Sequence, residues 1–111
     1  MVDDFFKYRY GWEKLHGAVH SLCSHGDIKE RLENAYVFNI SHIHDQNDLP
    51  EPLHKEFKDL VSSLTHVQPE GDEGKARATI KKMDELMINK AVEDIISLYD
   101  SICRFMPKQH A

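Results

Sequence analysis

The segment DIKERLENAYVFNISHIHDQNDLPE, residues 27–51, contains two helix-start signals, which place the second and third predicted helices. At the first signal, Asp27 precedes Glu30 by three positions, a variant of the capping box in which side-chain oxygens accept the free amides of a helix's first turn. Inward-facing residues then recur at steps of three and four, the period of one helix face: Ile28, Leu32, Ala35, Tyr36 and Ile43. We therefore predict a helix over residues 27–44.

The second signal is Asp48-Leu49-Pro50-Glu51. It repeats the acidic cap and places Pro50 in the first turn, where the N–H that proline lacks would have no partner within the helix. This arrangement predicts a helix over residues 49–65, with an inward face formed by Leu53, Phe57, Leu60, Val61 and Leu64.

Helical spacing continues through the rest of the chain, and no stretch alternates as a half-buried strand would. Further helices are predicted over residues 4–25, 73–82 and 85–106, and Asp84 is predicted to cap the last of these. Gly26 ends the first of these as a C-terminal cap, and Pro107 disfavours helical geometry in the residue before it. We expect one all-α, bundle-like domain over residues 1–111, with four main helices and one short helix.

The composition is that of a globular domain, with 111 residues, 41% apolar residues and a formal net charge of -5. No apolar run approaches the length of about 20 residues that a membrane-spanning helix needs, and the N-terminus lacks the order of a signal peptide. We expect a cytoplasmic protein that does not bind membranes. No phosphate-binding or redox motif predicts a cofactor.

Negative net charge also disfavours nucleic-acid binding, because long-range repulsion acts against the phosphate backbone. One segment, KARATIKK at residues 75–82, concentrates Lys75, Arg77, Lys81 and Lys82. A solvated helix face beside the acidic residues that precede it is the simpler interpretation. Nucleic-acid binding through this segment remains an alternative.

The predicted helices carry apolar side chains outside the inward stripe. If Ala35, Tyr36 and Ile43 point into the domain, Val37 projects nearly opposite to them, and Phe38 and Ile40 lie on the flanks. Leaving such side chains in water forfeits roughly 1.5–3 kcal/mol each. The sequence therefore predicts a homodimer, since two-fold pairs are the commonest assemblies, with an interface formed by Phe6, Tyr10, Val37, Phe38 and Ile40.

Two histidine groups raise the question of a metal site. His42 and His44, in the His-rich segment 42–54, would point roughly 200° apart on a helix, so they could not share an ion there. A better spacing, i, i+4 and i+7 on the first helix, brings three side chains onto one stripe: His16, His20 and Cys23. Zinc needs a further ligand from elsewhere, and we interpret the three as residues at the edge of the core.

Paired carboxylates give an enzymatic alternative. Four acidic residues on the second and third predicted helices resemble the pattern of MazG-type all-helical nucleotide pyrophosphohydrolases: Glu30, Glu33, Glu56 and Asp59. The resemblance implies that they would hold magnesium against a triphosphate, a role that suits hard oxygen ligands. Helical geometry argues against it, because Glu30 lies roughly 160° from the inward face of its helix.

A wider resemblance covers most of the chain, from Trp12 to about Arg104. The runs DIKERLENAYVFNISHI, DLPEPLHKEFKDLVSSLT, PEGDEGKARATIKKM and IISLYD are similar to a family of small bacterial proteins without an assigned activity, some of them encoded on mobile gene cassettes. The resemblance implies an all-helical fold. It implies no catalytic residue.

These observations favour a small helical protein that acts by binding, first to a second copy of itself and then to an unidentified protein partner. Magnesium-dependent nucleotide hydrolysis and nucleic-acid binding through residues 75–82 are the alternatives. We expect a non-enzymatic role.

Overall fold

The computed structural model describes the backbone of residues 2–107 and the side chains of residues 7–107, and the regular secondary structure of this part of the chain is all helical, without strands. Six α-helices follow one another along the described chain: α1 (Val2–Leu22), α2 (Ile28–Phe38), α3 (Asp45–Asp48), α4 (His54–Thr65), α5 (Lys75–Lys81) and α6 (Glu85–Cys103). The all-α prediction is confirmed, although the count of four main helices and one short helix differs by the one-turn helix α3.

Two of the predicted helix caps form. The carboxylate of Asp27 accepts a hydrogen bond of 2.9 Å from the amide of Glu30. Asp84 does the same at the start of α6, accepting from the amide of Met87 at 2.9 Å. In each case one of the amides without a partner in the helix's first turn is satisfied.

The second helix is shorter than predicted, because α2 ends at Phe38 and not near residue 44. Asn39 leaves helical geometry with φ -134° and ψ -69°, and a 3-10 turn, Ile40–His42, follows. On a continuous helix Ile40 would lie about 80° from Leu32. The break turns Ile40 inward instead, where it is 0% exposed.

The predicted cap at Asp48 is wrong. Asp48 ends α3, and its carboxylate accepts a 2.7 Å hydrogen bond from the amide of His44 at the start of that helix. A 3-10 turn, Glu51–Leu53, precedes α4, which begins at His54 and not at residue 49. Pro50 therefore introduces the 3-10 turn.

The outer helices also differ at their ends from the predictions. Helix α1 stops at Leu22, three residues before the predicted end, and a turn leads to Gly26, whose φ of 103° is a conformation that favours glycine. Helices α5 and α6 begin within two residues of the predicted positions, and α6 ends at Cys103.

Helix α6 lies between α1 and α4, and α5 joins α2 to α4. One core cluster among the described side chains draws on α1, α2, α4, α5 and α6; its fully buried members are Leu15, Ala18, Leu32, Ala35, Ile40, Leu64, Ile95, Leu98 and Ile102. None of the helices in the described chain combines the length and apolarity needed to cross a membrane.

Candidate functional site

Three of the predicted interface residues have exposed side chains. Phe38 is 63% exposed, Tyr10 43% and Val37 39%. Ile40 is fully buried in its own chain, which corrects the prediction that it needs a cover from outside. The side chain of Phe6 lies outside the described residues. We call Tyr10, Val37 and Phe38 the apolar face.

The apolar face borders the seam between α1 and α2. Tyr10 and Gly17 are seven positions apart and share a side of α1. Gly17 abuts the side chain of Asn39, which directly follows Phe38 in the chain. Asn39 also donates a 3.2 Å hydrogen bond to the Ser21 hydroxyl. These contacts fix the end of α2, next to Phe38, against α1.

The four carboxylates of the enzymatic alternative are not brought together. Glu33 lies 3.6 Å from the Arg77 guanidinium of α5, and Asp59 pairs with Lys55 of its own helix at 2.9 Å. Among the described side chains, no group of three or more His, Cys, Asp or Glu residues is placed to hold a metal ion. The arrangement predicted from the sequence is therefore not the arrangement in the fold.

Two of the three candidate zinc ligands, His16 and His20, belong to an aromatic cluster between α1 and α6. The His16 ring stacks on Trp12 with 4.9 Å between centroids and 13° between planes, and it lies 4.5 Å from the His20 ring. Tyr99 of α6 closes the cluster at 5.8 Å from His16. Burial and a hydrogen bond to Cys103 raise the pKa of Tyr99.

The other histidine candidates and Cys23 do not extend this cluster into a metal site. Cys23, His42 and His44 are all exposed, and none of them belongs to a group of three or more described His, Cys, Asp or Glu side chains that could hold a metal ion. The amide of His44 is used in the turn that Asp48 closes.

The basic segment 75–82 is partly neutralised. Arg77 faces Glu33, and Lys81 donates a 3.1 Å hydrogen bond to Glu73. The Lys81 ammonium, a bond from the amide of Glu70 and the charge of Arg77 hold the pKa of Glu73 below its usual value. Two of the four cations therefore have acidic partners within the fold.

A cleft of about 360 Å³ opens between α4, α5 and α6. We call it the α4–α6 cleft; its lining residues are Ser63, His66, Val67, Thr79, Lys82, Met83, Met87, Lys90, Ala91 and Asp94. The surface that they present is mainly apolar. Clefts of roughly 300–1,000 Å³ with apolar walls and a few polar groups are typical of small-molecule sites.

The cleft is not among the sites predicted from the sequence. The sequence feature that relates to it most directly is Leu86-Met87-Ile88 at the start of α6, three consecutive apolar residues on a helix. Only Ile88 is buried, whereas Leu86 is 79% and Met87 56% exposed. A helix with one inward stripe cannot bury all three, so this run indicated an additional apolar surface.

Comparison with protein-family models, with curated proteins and with solved structures finds no match to the chain. The functional hypotheses therefore depend on the apolar face and the α4–α6 cleft.

Proposed function

We propose that the protein is a helical binding module that forms a homodimer through the apolar face. The observation that carries this proposal is the 63% exposure of Phe38 at the end of a helix whose Leu32 and Ala35 side chains are fully buried. Aromatic side chains of this kind act as anchors at protein interfaces. Burying one fully gains roughly 1.5–3 kcal/mol.

A two-fold arrangement suits this surface. In such a dimer the same patch on both copies meets itself, so one set of side chains supplies both halves of the interface. The apolar face has a polar edge, because the Lys14 ammonium lies 5.5 Å from the centre of the Tyr10 ring and Glu13 pairs with Arg9 at 3.0 Å. An apolar centre with a charged rim is the usual anatomy of an interface.

The experiment compares Phe38→Glu with Ile96→Glu by analytical ultracentrifugation. Ile96 is 47% exposed on α6 and provides the same change of charge away from the apolar face. We expect a dimer for the wild type and for Ile96→Glu, and at least a tenfold weaker association for Phe38→Glu. Circular dichroism checks that all three proteins keep their helix content.

A monomeric wild type at tens of micromolar would contradict the proposal. So would a Phe38→Glu protein that associates as tightly as the Ile96→Glu protein. Tyr10→Glu provides a second substitution on the same face and should weaken association in the same direction.

The two alternatives have less support. Magnesium-dependent nucleotide hydrolysis requires Glu30, Glu33, Glu56 and Asp59 to act together, and no group of three or more described acidic, His or Cys side chains is placed to hold a metal ion. Nucleic-acid binding through residues 75–82 requires free cations, and two of them pair with Glu33 and Glu73. A steep salt dependence of binding to DNA would restore the second alternative.

A further inference from the structure

A hydrogen bond between α5 and the chain that leaves α4 lies at the α4–α6 cleft. Thr79 is 1% exposed, and its hydroxyl accepts a 3.0 Å hydrogen bond from the amide of Val67. This bond fixes the chain that leaves α4 against the middle of α5. The most buried polar side chain of the lining therefore already has a hydrogen-bond partner within the fold.

The walls are apolar and adaptable. Val67, Met83 and Ala91 line the interior, and Met87 is half-exposed at the mouth. Methionine side chains are flexible and polarizable, so they adjust to apolar groups of different shape. A ligand that covers Met87 removes apolar surface from water, which favours binding.

Some of the polar and charged side chains around the cleft have partners within the fold, and others do not. The Lys90 ammonium contacts both carboxylate oxygens of Asp94, at 2.9 and 3.2 Å, and the Ser63 hydroxyl donates to the carbonyl of Leu60 at 2.7 Å. The side chains of His66 and Lys82 make no hydrogen bond or ion pair with the described part of the chain, although the backbone amide of Lys82 donates to the carbonyl of Thr79. The free cation beside the apolar walls is therefore Lys82.

We propose that the α4–α6 cleft binds a small amphipathic carboxylate, an acyl chain with one anionic head. The chain would occupy the space between Val67, Met83 and Met87, and the head would meet Lys82, with His66 as a hydrogen-bond donor. Charge complementarity selects this class, because the paired Lys90 and Asp94 offer little net charge and Lys82 leaves one positive charge at the rim. This site is separate from the apolar face.

Sodium octanoate and 1-octanol are the probes, because they share one chain length and differ in the charged head. Titration calorimetry measures their affinity for the wild type and for Lys82→Gln. We expect octanoate to bind the wild type at least fivefold more tightly than octanol. Lys82→Gln should remove most of this preference while leaving octanol binding within twofold.

A matched pair of substitutions tests the location. Met87→Glu places a negative charge in the mouth of the cleft, and Leu86→Glu places the same charge on the neighbouring residue, which does not line it. We expect Met87→Glu to weaken octanoate binding at least tenfold and Leu86→Glu to leave it within twofold. Circular dichroism confirms that both variants stay folded.

Several results would overturn the proposal. Absence of octanoate binding to the wild type is one, and equal affinity for octanoate and octanol is another. Equal effects of Met87→Glu and Leu86→Glu would place any bound octanoate outside the cleft. None of these outcomes depends on whether the protein dimerises.

Discussion

Gly11 shows how a single residue determines where a helix can pack. It is buried on α1, and a Cβ atom at this position would meet the backbone carbonyl oxygen of Asp48 and the side chain of Leu49. At Gly17, on the same helix, an added Cβ would meet only the side-chain amide of Asn39. Backbone atoms move away less easily than the end of a side chain. An added Cβ atom should therefore be tolerated better at Gly17 than at Gly11.

We expect Gly11→Ala to be less stable than Gly17→Ala by about 1–2 kcal/mol. Both changes gain helix propensity of about 1 kcal/mol, but overpacking against a fixed backbone costs about 1–3 kcal/mol. Urea unfolding followed by circular dichroism measures both variants. Equal stabilities would mean that α3 moves freely away from α1.

Sequence patterns predicted some residues well and others poorly, for physical reasons. The Asp27 and Asp84 caps were predictable because capping depends on a few consecutive residues. The environment of Ile40 was not, because it depends on a break in the helix at Asn39, whose side chain bonds to Ser21 of another helix. A contact 18 positions away along the chain leaves no local signal.

At the scale of elements, the connection between α4 and α5 is fastened at both ends. Val67 bonds to Thr79 near its start, and Glu73 bonds to Lys81 near its end. A loop is predicted here, because Pro69, Gly71 and Gly74 interrupt the helical spacing. The sequence does not predict that both ties go to α5, or that the start of the loop, His66 and Val67, lines the α4–α6 cleft.

The stabilisation of the fold by the Glu73–Lys81 ion pair should depend on pH. Because the fold lowers the pKa of this carboxyl, its contribution to stability is present above the pKa of the unfolded chain and is lost as pH falls through the folded value. We expect Glu73→Gln to be less stable than the wild type at pH 6.5, with a difference that narrows between about pH 5 and pH 3. Urea midpoints at several pH values test this.

Asp72→Asn is the control for that experiment. Asp72 is exposed in the same loop and has no partner among the described residues. Its substitution should leave the pH profile close to that of the wild type. A constant difference between wild type and Glu73→Gln at all pH values would contradict the electrostatic explanation.

At the scale of the whole molecule, the all-α class was predictable because helical spacing runs through nearly the whole sequence. The packing order was not, because α6 contacts both α1 and α4 although α1 and α6 are far apart in the chain. The α4–α6 cleft is a product of that order. Three elements form it, and periodicity within one helix cannot show how three helices meet.

Dimerisation should make thermal stability depend on protein concentration. A hundredfold rise in concentration above the dissociation constant adds about 2.7 kcal/mol per dimer, or about 1.4 kcal/mol per chain, which corresponds to a rise in Tm of about 5 °C. We expect this rise in the wild type and in Ile96→Glu, and a flat Tm in Phe38→Glu. Differential scanning calorimetry of the three proteins at two concentrations measures these changes in Tm.

The stacking of Trp12 on His16 gives the molecule a built-in optical reporter. Trp12 is the only tryptophan in the chain, and it lies where α1 meets Tyr99 of α6. The fluorescence emission of Trp12 therefore reports whether α1 is packed against α6, without an added dye or label. A spectrum that changes before the helical signal is lost would identify the detachment of α1 as the first step of disassembly.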